Sequence, residues 1–287
     1  MERICSGRIK NVYDTGDGTC VILTTDKISA YDVMLPSLIP NKGIIINKLS
    51  EFWFDLTKDM VPNHMITTDI SKYPAVLENA AEFKDRSMLV KKLDMIPFHF
   101  VARAYLSGAA WTEYSKTGSL WGYNVPRNMQ QSQKFEEPIF TSYSKEAMGG
   151  HSYITESDLC NHIGIELAMT IKEKCIALYD YCAKYALDHG IIIADTKFEF
   201  GFDKDGNLLL GDEIFTPDCS RFWDASEYKV GARQKTFDKQ FVRDWLESID
   251  IFENRAPAML DDVIKDTLQK YIRAYEMLVP EEKRISF

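Results

Sequence analysis

Two hydrophobic periodicities divide this chain. Residues 7–13 alternate apolar with polar, Thr15-Gly16-Asp17-Gly18 interrupts, and residues 19–24 are β-branched and apolar. That pattern predicts a hairpin with Asp17-Gly18 in a type I′ turn. Residues 47–60 switch to helical spacing through Leu49, Trp53 and Leu56 and stop before Pro62. Residues 87–103 read as strand, broken at Pro97, and 104–155 is the least regular stretch, rich in Gly, Ser, Gln, Asn and aromatic residues. Residues 157–189 are helical, with Leu159, Ile163, Leu167 and Ile171 at four-residue intervals and Gly190 as C-cap. Two strands follow, 191–202 and 208–215. The remainder is helical, along a stripe of Phe237, Phe241 and Trp245 and another of Ile264, Leu268, Tyr271, Tyr275 and Leu278. Strands come early, helices late, and strands recur between helices without internal repeats, which favours an α+β fold over a doubly wound sheet.

Composition narrows the function classes. The 287 residues are 45% hydrophobic and 27% charged, enough chain for about two domains at ~150 residues each. The net charge of −9 disfavours nucleic-acid binding, which rests on Lys and Arg, but leaves room for a local anion site. The cysteines at 5, 20, 160, 175, 182 and 219 form no CxxC pair, so they read as free thiols in a reducing, cytoplasmic setting. The N-terminus lacks a signal-type apolar region and no apolar run approaches the ~20 residues of a membrane span, so no membrane association is expected.

Candidate chemistry concentrates in a few stretches. In a strand over residues 191–201, Asp195, Lys197 and Glu199 share one face and Thr196, Phe198 and Phe200 the other. Three charges on one face of a central strand need compensation, which points to a cleft. With Asp205-Gly206 at the following turn, the register places Glu199 opposite Asp212. Two opposed carboxylates repel, and Mg²⁺ between them would relieve the repulsion while binding substrate phosphates that Lys197 also reaches. Arg8, Lys10 and Val12 share a face of the N-terminal hairpin, which resembles loops that cover nucleotide phosphates. Arg103, before Ala104-Tyr105-Leu106-Ser107-Gly108, and Arg221, after Asp218-Cys219-Ser220, suit bidentate anion binding. Of the histidines, only His151, after Met148-Gly149-Gly150, sits in a loop able to close over a site; His64, His99, His162 and His189 read as structural.

The stretches GRIKNVYDTGDGT, TTDKISAYDVMLPSLIPNKG, LVKKLDMIPFHFVARAYLSG, EPIFTSYSK, ADTKFEFG and GDEIFTPDCSRFW resemble, in order, those of the phosphoribosylaminoimidazole-succinocarboxamide synthase (SAICAR synthetase) family. The resemblance runs from residue 7 to about 223; the C-terminal helices match in character only. It implies an α+β fold related to ATP-grasp enzymes and kinases, with ATP in a cleft between two subdomains. A mainly β subdomain, with the nucleotide-covering hairpin, would span 1–98. A larger subdomain, with the substrate site and C-terminal helices, would span 99–287. The implied reaction joins L-aspartate to carboxyaminoimidazole ribonucleotide with ATP and Mg²⁺, most simply through an acyl phosphate. By motif position, Arg8, Lys10 and Val12 would cover ATP, and Val90, Lys91, Leu93 and Met95 would form the adenine hinge. Lys197, Glu199 and Asp212 would form the ATP–Mg²⁺ centre, with Glu199 and Asp212 as metal ligands and Lys10, Lys197 and Asp212 catalytic. Asp32, Arg103, Ser107, Asp218, Ser220 and Arg221 would surround the ribonucleotide. The same Lys–Glu–Asp centre also suits a small-molecule kinase of related fold or a non-catalytic nucleotide-binding regulator, and the sequence leaves monomer and homo-oligomer both open.

Overall fold

The computed structural model describes residues 2–31, 33–74, 80–145, 151–249 and 257–287. The chain begins with β1 (Glu2–Ser6), β2 (Lys10–Asp14), β3 (Thr19–Thr24), β4 (Lys27–Ala30) and β5 (Val33–Leu38), then α1 (Lys42–Thr57) and β6 (Met65–Thr67). There follow α2 (Ala80–Phe83), β7 (Ser87–Lys91), β8 (Asp94–Met95), β9 (Phe98–Tyr105), α3 (Gly108–Thr117), β10 (Lys134–Lys145) and β11 (His151–Ile154). The last third holds α4 (Glu156–Ile163), α5 (Ile165–Asp188), β12 (Ile191–Phe202), β13 (Leu208–Gly211), β14 (Ser220–Asp224), α6 (Gln240–Ser248) and α7 (Asp261–Leu278). The mixed α and β content and the late helices agree with the expected class. No described helix is long and apolar enough to cross a membrane.

The chain divides into two compact units, one of residues 1–96, 199–218 and 237–287, the other of 97–198 and 219–236. The C-terminal helices fall in the same unit as the N-terminal strands. The reason is packing, because Val242, Leu246 and Val263 of α6 and α7 share a buried cluster with Ile28, Ala30, Leu35 and Ile39 around the β4–β5 hairpin.

In the first unit, a five-stranded sheet in the order β1-β2-β3-β7-β6 carries the N-terminal hairpin. Helix α1 starts five residues before its hydrophobic periodicity predicts, at Lys42. Glycine at 43 permits this, since a Cβ there would lie 2.3 Å from the Thr24 carbonyl oxygen. The β2–β3 turn differs from type I′: Gly16 and Gly18 take positive φ, Asp17 does not. Instead the Asp17 carboxylate accepts from the Thr15 and Thr19 hydroxyls and from the Thr19 amide.

In the second unit, β9 pairs with β10 on one side and with residues 195–198 of β12 on the other; β14 pairs with residues 191–196 of β12, and β11 with β10. The stretch read as irregular contains α3 and the twelve-residue β10. The β10 ladder skips from Lys134 to Ile139, which breaks the alternation a strand reading depends on. The single helix expected over 157–189 is split at Gly164, whose φ of 87° ends α4 before α5 begins.

Candidate active site

The second unit sets two arginines and an aspartate across three neighbouring strands. Asp195 on β12 lies opposite Arg103 on β9 and opposite Arg221 on β14. The Arg103 Nη1 donates to Asp195 Oδ2 at 3.0 Å, and the Arg221 Nη1 reaches both Asp195 oxygens at 2.8 and 2.6 Å. Arg103, 5% exposed, is fixed further by Nε to the Thr141 hydroxyl (3.1 Å) and Nη2 to the Tyr143 hydroxyl (3.0 Å). Ser107 ends β9's continuation as the N-cap of α3, yet its side chain caps nothing. Its Oγ is buried and has no hydrogen-bond partner among the described residues. The next residue, Gly108, has φ 53° and lies so near Arg221 that a Cβ would sit 2.0 Å from Nη2. An orphaned hydroxyl, the first-turn amides of a helix and an arginine converge where an anion would satisfy all three. Ser220 lies alongside, its hydroxyl 2.8 Å from that of Thr196.

The first unit carries a lysine–carboxylate centre. Lys10 on β2 places Nζ 2.6 Å from Asp212 and 3.3 Å from Glu213, and Glu213 accepts the Thr216 hydroxyl at 2.6 Å. Asp212 and Phe215 hold left-handed φ of 60° and 48°, backbone strain of about 1–3 kcal/mol each, the kind concentrated at functional sites. Those conformations stop β13 at Gly211, four residues short of expectation. The register also differs by one residue: Glu199 faces Gly211, not Asp212. The cause is a longer turn. Asp203 pairs with Asn207, Gly206 takes φ 80°, and the Asp203 carboxylate accepts the Asp205 and Asn207 amides. Three residues, not two, thus cross the hairpin.

The residues expected at the hinge gather beside that hairpin. Val90 lies opposite Cys20 and Met65, and Met95 opposite Gly201. A Cβ at Gly201 would meet the Leu93 Cβ at 3.0 Å, and one at Gly211 would meet Leu93 Cδ1 at 3.2 Å and Met95 Cε at 3.4 Å. The two glycines therefore let Leu93 and Met95 lie against the strands that carry Glu199. Lys91 is exposed and reaches Asp203 at 3.2 Å. Arg8 and Val12 are half-buried on the hairpin with Lys10. Lys197 belongs to the second unit, where its amide donates to the Cys219 carbonyl at 2.9 Å.

Asp218 sits deep in the first unit, with Oδ2 2.5 Å from the fully buried Lys42 Nζ and Oδ1 accepting the Tyr271 hydroxyl at 2.7 Å. Burial pushes its carboxyl up, but the nearby Lys42 and Lys239 charges outweigh that and hold it at about 2. Asp32 and Gly149-Gly150 lie outside the described residues, as does the His151 side chain. His64 is as structural as expected in being buried, and burial lowers it to about 4, against the pull of Asp212. Sequence reasoning missed the Asp195 bridge, Glu213, Lys42 and the rings around Arg103. Only Asp195 had a signal, its place on the charged strand face.

A lysine–carboxylate centre in one unit and an arginine–carboxylate cluster in the other are arrangements that suit an enzyme of phosphorylated small molecules. The SAICAR synthetase family model matches residues 3–259. A phosphoribosylaminoimidazole-succinocarboxamide synthase of Lachnospira eligens is 41% identical over 98% of this chain and 96% of its own. The structure of a Saccharomyces cerevisiae SAICAR synthase complexed with SAICAR superposes with a TM-score of 0.87 at 40% identity, covering 97% of this chain and 94% of that one. A type-2 SAICAR synthetase in complex with ADP shares the fold, with a TM-score of 0.72 at 22% identity and 99% coverage of both chains. The chain belongs to the SAICAR synthetase family. It is a synthetase of purine biosynthesis, and the kinase alternative is not favoured.

Proposed function

We propose that this ligase joins L-aspartate to carboxyaminoimidazole ribonucleotide, with ATP driving the step and ADP and phosphate released, in the cytoplasm. A carboxylate is a poor electrophile. Transfer of the γ-phosphoryl to it makes an acyl phosphate, and the aspartate amine then displaces phosphate to leave the amide. Such a reaction asks the protein for positioning and charge neutralisation more than for a covalent nucleophile. Lys10 and Lys197 supply positive charge where the phosphates accumulate negative charge, and Val90, Lys91, Leu93 and Met95 line the adenine. Arg8 and Val12 flank Lys10 on the covering hairpin, as in phosphate-covering loops of related folds.

Arg103, Arg221, Ser107 and Ser220 hold the ribonucleotide's anionic groups, with Asp32 near them; Asp218 acts through its neighbours, since both its oxygens are already engaged. The observation that carries the ribonucleotide assignment is the buried Ser107 hydroxyl without a partner, beside two arginines that share one carboxylate. Glu199 and Asp212 are hard oxygen donors adjoining the Lys10 site, a donor set that fits Mg²⁺, which takes one or two carboxylates together with substrate phosphates. Bound there, Mg²⁺ supplies charge neutralisation at the phosphates. The deciding assay is ADP release with each substrate omitted in turn. Release that requires both ribonucleotide and aspartate, with amide formed in equal amount, supports the reading. A phosphorylated product without amide sinks it.

A further inference from the structure

Arg103 lies against two aromatic rings from separate segments, with a third ring behind them. Its ζ-carbon lies 5.6 Å from the centroid of Trp121 and 5.7 Å from that of Tyr143. Trp121 stacks on Tyr153 with centroids 5.0 Å apart and planes 17° from parallel, and Tyr143 meets both edge-on, at 6.4 and 5.9 Å. Trp121 is held there with φ 46°, followed by Gly122 at 83°, a turn that a tryptophan adopts only at a cost.

Arg103 and Arg221 both bond to the Asp195 carboxylate, and Arg221 reaches both its oxygens. A second carboxylate on Arg103 would occupy its in-plane donors and repel an anionic substrate. An aromatic face attracts a guanidinium through its quadrupole and carries no net charge. It also contacts the guanidinium without using an in-plane donor. Arg103 spends three of its five N–H groups on Thr141, Asp195 and Tyr143, which leaves two without a partner among the described residues.

We propose that Trp121, backed by Tyr153 and joined by Tyr143, is a positioning residue that holds Arg103 by cation–π attraction. It holds the guanidinium from its face, so that Arg103 keeps in-plane N–H donors for the ribonucleotide. This inference rests on the assignment of Arg103 to the ribonucleotide.

The test replaces Trp121 alone among the five tryptophans with mono-, di- and tetrafluorotryptophan, which weaken the ring quadrupole in steps at nearly constant shape. The ribonucleotide KM is expected to climb stepwise with fluorination, to about fivefold at the last step, while the ATP KM and the melting temperature hold. Trp121→Leu is expected to give at least the same loss, and Arg103→Lys is measured in parallel. If the fluorinated series is flat while Arg103→Lys raises the ribonucleotide KM selectively, the cation–π role is overturned and the ribonucleotide assignment stands. If Arg103→Lys affects ATP and ribonucleotide alike, the assignment falls and the inference with it.

Discussion

Gly108→Ala is the sharpest probe of the proposed anion site, because the three atoms nearest the new methyl all belong to Arg221. The new methyl would sit 2.0 Å from Arg221 Nη2, 2.3 Å from its ζ-carbon and 2.9 Å from Nη1. Normal contact is about 3.5 Å, so the guanidinium must retreat by about 1.5 Å. That retreat breaks the 2.6 and 2.8 Å contacts with Asp195 and withdraws the arginine from the space beside Ser107. A charged hydrogen bond contributes about 1.5–3 kcal/mol, which corresponds to roughly a ten- to hundredfold rise in the ribonucleotide KM. Alanine at φ 53° adds about 1–2 kcal/mol of backbone cost, a separate effect that appears as a lower melting temperature by a few degrees. The assay is steady-state kinetics with each substrate varied at saturation of the others, together with a thermal melt. The ATP KM should stay within about twofold, as the first unit's centre is untouched. A lower melting temperature with an unchanged ribonucleotide KM would refute the reasoning, since the clash would then have no functional partner.

Asp212→Asn keeps the shape but weakens a hard-cation ligand and the Lys10 ion pair, so kcat should drop by at least about a hundredfold while thermal stability holds; near-normal turnover at ordinary Mg²⁺ argues against a metal role. Lys42→Met strands the Asp218 carboxylate in the interior and should cost about 3–5 kcal/mol in urea unfolding, with part of the loss restored in Lys42→Met/Asp218→Asn; no restoration would mean that the buried pair is not the cause. His64 gives stability a pH dependence. Its folded pKa of about 4 lies below the ordinary 6.5, so the unfolded chain binds the extra proton as pH falls from 6.5 to 4. Stability is therefore full above pH 7 and declines by about 3 kcal/mol towards pH 4, and His64→Gln should flatten that slope in chemical unfolding at stepped pH; an unaltered slope assigns it to other groups.

Local pattern determined much of this protein. The alternation of β2, the β-branched run of β3, the apolar lead-in to β12 and the stripes of α6 and α7 are each written within a window of a few residues, where backbone periodicity alone decides which side chains share a face. The same windows marked Lys197 and Glu199 by their charge on an otherwise apolar strand, Asp212 by the turn register, Lys10 by the hairpin, and Arg103 and Arg221 by the small polar residues beside them. The structure put Arg103 and Arg221 on either side of Asp195 and Lys10 against Asp212.

What the windows could not contain was pairing between distant segments. One extra residue in the turn at Asp203–Asn207 shifted Glu199 from Asp212 to Gly211, an outcome set by the Asp203 carboxylate and by Gly206 at φ 80°. The resemblance implies Asp218 beside the ribonucleotide, and nothing in its own window marks a buried ion pair. Only the folded first unit sets it between Lys42 and Tyr271, 176 and 53 positions away along the chain. The rings around Arg103 come from residues 121, 143 and 153, whose spacing follows neither a helix nor a strand. Sequence records which groups are costly to bury. The tertiary structure chooses which groups meet them, because the Coulomb and hydrogen-bond energies that settle a buried charge depend on distances of a few ångströms that chain separation does not encode.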